Sequence, residues 1–524
     1  MTLRKRFLLS ITLFMTCAFL AATPAHATLS LRCLWGSGIS AVTPTVWTTS
    51  TQAIMTPVVA DFRAQLPPGR SYIAFISFAT TNQLNRDGGG VLRIIDDKCQ
   101  EIARYPDLSP PAPAPCPANL NTVPDLAPAS GLAVGILDNS STLMDIIAVI
   151  GGPTSNHSQL VAFNLVAGQL KVKWCSQPLS GGDFIAGTSA PAIAQMDKGP
   201  SYPAQFNEIV IDNKFFEYNG SLRYSGFSVG GPRSRTVATA ASLSGHTNLI
   251  AGRGIYYSSV NFWTGTQGWV NSALTNGGAV YPAVAEFDSN WLGPEVVVVD
   301  MMANTVRLLS LAATGQQLAS AILPNASGCP GSTGTGPCVC PGPACPKCGG
   351  PPLIGDVDGD GIPEIGVASC NRFTLFKYNG TSMLQAWRSW PTSDASGQTT
   401  AILFRNPAFN RIYYADETTL WVFDPMNNTP LQSLPNPSRT AIESPVVAAL
   451  VDGGRAKVIV TANSGSPTGV RIYDDIQLPQ ARRCWNEHAY HVTNISDCFG
   501  QIPSVEPMSW LLTSPAKNTY RVQW

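Results

Sequence analysis

The chain has 524 residues, with 33 Lys and Arg against 33 Asp and Glu, so its formal net charge is zero. Charged residues make up only 13 %, which excludes a protein held to nucleic acid by a basic surface. Hydrophobic residues reach 44 %, enough for a packed core, and 46 Gly with 42 Pro imply many turns.

Residues 1–27 read as an export signal. Arg4, Lys5 and Arg6 form a basic start, Phe7 to Leu20 an apolar core, and Ala25, His26 and Ala27 a small-residue cleavage site. The apolar run is short and ends at Thr23 and Pro24, so cleavage is expected rather than anchoring. No later apolar run is long enough to span a bilayer. The chain is therefore expected to be secreted or at the cell surface, with no transmembrane segment after cleavage. Of thirteen cysteines, Cys17 lies in the signal, which leaves an even twelve. Disulfides are the default state for such cysteines outside the cytoplasm.

From about residue 50 one pattern recurs: a small or Pro-containing start, an apolar alternation, a loop and then a β-branched run. The starts are Met55 to Asp61, Ala129 to Gly135, Ala190 to Gln195, Tyr281 to Glu286 and Ser444 to Ala449. Strand-like runs follow at Ile146 to Val149, Glu208 to Ile211, Glu295 to Val299 and Lys457 to Val460. Third strands are read at Gly90 to Ile95, Thr305 to Leu309 and Gly469 to Tyr473, and weaker copies at 236–255 and 401–422. The starts lie about 40 to 80 residues apart, a blade-sized repeat with insertions. Period-2 alternation fits strands with one buried face. One unit cannot cover its own faces, so the units are expected to pack radially as seven or eight four-stranded blades of an all-β propeller. Leu29 to Thr49 contains no full copy and is available to complete the last blade.

Two segments read as loops inside this repeat. Residues 105–125 are Pro-rich. Residues 325–352 are rich in Gly and Pro and hold Cys329, Cys338, Cys340, Cys345 and Cys348. These cysteines could hold zinc, but an exported chain lacks the reducing surroundings that keep thiolates free, so a disulfide-stapled surface insertion is expected.

The strongest chemical signal lies just beyond. Asp356, Asp358, Asp360 and Glu364 occupy positions 1, 3, 5 and 9 of one loop, with Gly359 and Gly361 between them. Such a loop offers a hard cation only oxygen, including the backbone carbonyl of Ile362 at position 7, and that is calcium chemistry. A strand reading from Ile365 to Ser369 follows, where an EF-hand would have a helix.

In the tail, Cys484 and Cys498 are expected to pair. Glu487, His488 and His491 are in the wrong order for a zinc-protease motif and read as local packing around Trp485 and Tyr490. No nucleophile elbow precedes a helix, and Ser244 to His246 reads as polar surface. No catalytic residue is assigned and a non-enzyme is expected. Asp474 and Asp475 form the one other tight carboxylate pair in a loop context.

The stretch Ile354 to Val367 resembles an FG-GAP repeat, the calcium-loop repeat of integrin-α-like β-propellers and of bacterial VCBS-type surface proteins. Tyr414 to Asp424, Arg482 to Asn494, Ile502 to Glu506 and Trp510 resemble the same bacterial proteins, so the likeness spans roughly residues 50–520. It implies an extracellular propeller with calcium in its blade loops, engaged in adhesion or surface recognition through a protein or glycan ligand. Carried over, Asp356, Asp358, Asp360, Ile362 and Glu364 would hold calcium. Other loops keep Asp138, Asp197, Asp288 or Asp452 without the alternating triplet, so one competent site is expected. Alternatives are a lectin or polysaccharide-active enzyme using the central channel, and a structural module of a larger envelope assembly. Similar bacterial proteins continue into further extracellular modules, and this chain is read as a propeller without them.

Overall fold

The computed structural model describes residues 29–524 except 63–64, 80–88, 108–115, 117–125, 152–156, 181–188, 197–205, 212–213, 226–238, 243–246, 252–255, 258–279, 292, 301–303, 311–315, 325–348, 370, 393–398, 439–442 and 504–518. The expected export signal, the cysteine group Cys329 to Cys348 and Ser244 to His246 thus lie outside the described residues.

Among the described residues every regular element is a strand. Sheets succeed one another along the chain at 58–105, 133–180, 192–225, 239–257, 280–322, 353–391, 401–435 and 446–475. Among the described residues seven of them carry at least four strands, and the one at 239–257 carries three. Each is built as an antiparallel meander, and the leading strands of successive sheets lie side by side: Val58–Ala60 by Ala133–Gly135, that strand by Ala192–Ala194, and Leu353–Gly355 by Ala401–Asn406. This is a β-propeller, and the sheets are numbered here as blades one to eight in chain order.

The second strands show why the blades stack. Glu295–Asp300, Glu364–Ser369 and Asp145–Ile150 are buried at every position. A strand covered on both faces by neighbouring blades has no solvent side, so it reads as an unbroken β-branched run rather than an alternation. Alternation survives further out, as in Gln169–Cys175 of blade two. Large aromatics fill the spaces between blades. Between blades six and seven Phe373, Trp390, Tyr414 and Phe423 form one cluster, with Trp390 and Phe423 stacked at 4.7 Å.

The ring closes through both ends of the chain. Leu29–Ser37 pairs antiparallel with Thr468–Asp475 as the outer strand of blade eight. Cys33 is bonded to Cys99 in a turn of blade one, and Arg32 pairs with Asp97 at 2.7 Å beside it. Cys116–Cys175 is a second disulfide, and the expected Cys484–Cys498 is the third among the described residues.

The tail then runs through the middle of the ring. Trp485 exchanges two backbone hydrogen bonds of 2.8 Å with Val59 of blade one. The Val134 N–H of blade two donates to the Asn486 carbonyl, Ala449 of blade eight to Arg482, and Ile354 of blade six pairs with Tyr520. Val522–Gln523 adds a short parallel strand to the inside of blade seven. Residues Cys484 to Tyr490 and Arg521 to Gln523 are all buried. His488 hydrogen-bonds Thr56, and Trp485 stacks on Tyr490 at 4.3 Å, which matches the packing role read for this segment.

Candidate metal centre

The loop from Asp356 to Glu364 joins the first two strands of blade six, Leu353–Gly355 and Glu364–Ser369. Gly359 and Gly361 sit at φ +84° and +90°, a region that excludes most side chains, and this lets the acidic residues curl round one point. Side-chain oxygens turn back onto the loop's own N–H groups. Asp356 accepts from Gly359 at 2.7 Å, Asp358 from Asp360 at 3.2 Å, and Asp360 from Ile362 at 2.9 Å. Asp356, Asp358 and Glu364 bring one carboxylate oxygen each to within 4.8 Å of one another. Asp360 and Ile362 stand at the exposed lip of the loop.

Two cations missed from the sequence complete the arrangement. The Lys377 ammonium donates to Asp358, to Asp360 at 2.9 Å, and faces Glu364 at 3.4 Å. Arg405 of blade seven donates to Asp356 at 2.9 Å. Lys377 was legible in principle: the hairpin register that pairs Ile365 with Phe376 continues to Glu364 and Lys377. Arg405 comes from the next blade, and no local pattern announces it. The mutual repulsion of the aspartates is therefore already relieved by fixed protein cations.

The titration behaviour follows from burial and these partners. Burial pushes the Glu364 carboxyl up to about 7 against the opposing Val357 N–H, and the Asp358 carboxylate adds to the rise. For Asp360, burial raises the value but is outweighed by the Lys377 hydrogen bond and the Ile362 N–H, so its carboxyl lies below the usual range. For Lys377 the order is the same: burial lowers it, and the hydrogen bonds it donates to Asp358 and Asp360 win and raise it.

The donor set fits a hard divalent cation. All donors are carboxylate or carbonyl oxygen, with no thiolate or imidazole in the cluster. A carboxylate oxygen that accepts one N–H keeps a lone pair for a metal. The Lys377 ammonium is what a cation would have to move aside.

Glu364 also does something that needs no metal. Its Oε2 accepts the Val357 N–H at 2.8 Å, pinning the loop to the start of the second strand. The same latch recurs in three other blades: Asp145 holds Leu137 at 3.2 Å, Glu208 holds Met196 at 2.8 Å, and Glu295 holds Phe287 at 2.8 Å. Those loops lack the aspartate triplet and carry the acid at the strand start. That position is structural first, and the triplet in blade six is an addition to it. Asp474 and Asp475, the other carboxylate pair, are engaged in ion pairs, Asp474 with Lys457 at 2.5 Å and Asp475 with Arg411 at 2.6 Å.

No family model matches the chain and no curated protein matches it, so the FG-GAP likeness stands on its own residues. Among solved structures, the biofilm matrix protein Bap1 of V. cholerae is 15 % identical, covers 95 % of this chain and 99 % of its own, and superposes with a TM-score of 0.63. The exotype rhamnogalacturonan lyase YesX is 12 % identical over 81 % of this chain and 72 % of its own, TM-score 0.46. A Bacillus licheniformis rhamnogalacturonan lyase is 12 % identical over 95 % and 84 %, TM-score 0.41. The expectation of a non-enzyme does not stand, because the solved structures similar to this chain include enzymes; at this distance they assign it no activity. What the likeness to Bap1 shows is the fold, an all-β propeller.

Proposed function

We propose that this chain is an exported, calcium-stabilised propeller of the FG-GAP or VCBS type that recognises a protein or glycan through its loops. The observation that carries the reading is the all-oxygen cluster of Asp356, Asp358 and Glu364, with Asp360 and the Ile362 carbonyl at its lip. Three disulfides support an oxidising location. Recognition at the rim is favoured over the axis, because the described tail residues occupy the inside of the ring and leave its leading strands paired. The resemblance of the ring to a biofilm matrix protein accords with a surface role.

Calcium melting curves test this. Extracellular calcium modules bind at roughly 0.1–1 mM, so about 5 mM calcium should add about 1–2 kcal/mol of stability. Asp358→Asn should abolish that gain. Lys377→Met should lower stability in chelator and tighten calcium binding, since the competing ammonium is gone. Identical melting of the unchanged protein in calcium and in chelator would refute the metal reading.

A further inference from the structure

The acidic loop has a second boundary. Its outer side forms one wall of an open groove of about 740 Å³ between blades six and seven, floored by tail residues including Trp524. That volume lies within the range of small-ligand sites. Asp358 belongs to both the cluster and the groove.

The groove is amphipathic in a particular way. Phe409 and Trp524 are both half-buried and offer aromatic surface. Polar groups stand between them at fixed positions. Asn406 is oriented by the Ala408 N–H on its Oδ1 at 2.9 Å, which leaves its amide N–H₂ facing outward from that bond. Asp424 is held by the Met426 N–H at 2.9 Å and by the Asn427 amide. Arg405 spends one N–H on Asp356 and retains the others.

Charge then selects among ligands. Arg405 is the one Lys or Arg among the described residues lining the groove, and it is paired with Asp356 as Asp358 is with Lys377, which leaves Asp424 as the lining charge without an ion pair among the described residues. A polyanion would meet repulsion without a free cation to receive it. A protein ligand would be expected to find a centre depleted of charge, whereas Asp358, Arg405 and Asp424 stand here among the apolar Val357, Pro407, Met426 and Pro479. Sugars suit the groove: their C–H faces stack on aromatic rings, and their hydroxyls both donate and accept, matching the carboxylates, amide and guanidinium.

We propose that the groove between blades six and seven binds an uncharged glycan, its ring faces against Trp524 and Phe409 and its hydroxyls on Asn406, Arg405 and Asp424. This deepens the surface-recognition reading by naming the ligand class and the place, and rests on it. The test is affinity electrophoresis of the full chain through gels containing mannan, galactan or dextran, with alginate as the acidic comparison. At least one neutral polysaccharide should retard the protein and alginate should not. Asp424→Asn and Trp524→Ala should each weaken that retardation about tenfold, with the calcium response kept in both and melting unchanged in Asp424→Asn. Retardation by alginate alone, or by no neutral polysaccharide, overturns the glycan assignment. Neutral-polysaccharide retardation that both variants retain moves binding away from this groove and leaves the broader reading standing. Loss of the calcium response in the unchanged protein strikes the metal reading, independently of either result.

Discussion

Trp485→Ala should lower the stability of this protein by about 3–5 kcal/mol, read as a large fall in the urea midpoint. Trp485 is fully buried, stacks on Tyr490 at 4.3 Å and lies under the Arg521 guanidinium at 5.5 Å. Tyr490 and Arg521 lie in the tail and Val59 in blade one, each held by its own pairing, so they cannot collapse together to fill the space. Its backbone also pairs with Val59, and loosening the tail would expose those groups on the inside of blade one. Trp485→Phe separates ring packing from polar bonding. The indole Nε1 has no hydrogen-bond partner among the described residues, so Phe gives up no hydrogen bond and should recover most of the loss. A Trp485→Ala midpoint close to that of the unchanged protein would show that the tail lies loosely on the ring and does not hold it together.

This dependence on the tail was hardly legible in the sequence. Arg482 to Asn494 lacks any periodicity, because it pairs edge-on with a different blade every few residues: Ala449 at Arg482, Val59 at Trp485, Val134 at Asn486. Partners so distant along the chain leave no local trace. By contrast, the acidic loop was legible because its chemistry is written in nine consecutive residues. The blade starts were legible for the same reason. Blade seven looked weak, and the structure says why. Ala401–Asn406 and Phe409–Ala415 are joined by just Pro407 and Ala408, a turn too short for an acidic loop, yet the sheet itself is complete. The second strands were legible as β-branched runs, without help from alternation. Val296 to Val299 are all buried, and a strand between two neighbours shows no polar face for a period-2 reading to find.

The recurring latch leads to the second large effect, in blade five. Glu295 is fully buried and its Oε2 accepts the Phe287 N–H, as Glu364 does for Val357. The difference lies across the hairpin. Where blade six places Lys377, blade five pairs Glu295 with Ser310. Without a cation there, burial pushes the Glu295 carboxyl up to about 8, helped by the Glu286 and Asp288 carboxylates and opposed by the backbone N–H groups of Phe287 and Asp288. The folded protein therefore holds a proton that the unfolded chain releases near the ordinary value of 4.5. Stability contributed by this group is fully present below about pH 4.5, falls as pH rises, and has gone by about pH 8. Glu295→Gln keeps an oxygen for the Phe287 N–H and has no proton to lose; its amide N–H₂ meets acidic neighbours that can accept. Each unit of pKa displacement corresponds to about 1.4 kcal/mol, so the variant should gain a few kcal/mol over the unchanged protein between pH 5 and 8. Urea midpoints of the two proteins across that interval should diverge steadily. Parallel curves would mean that Glu295 is already charged in the fold, and that water or a cation does in blade five what Lys377 does in blade six.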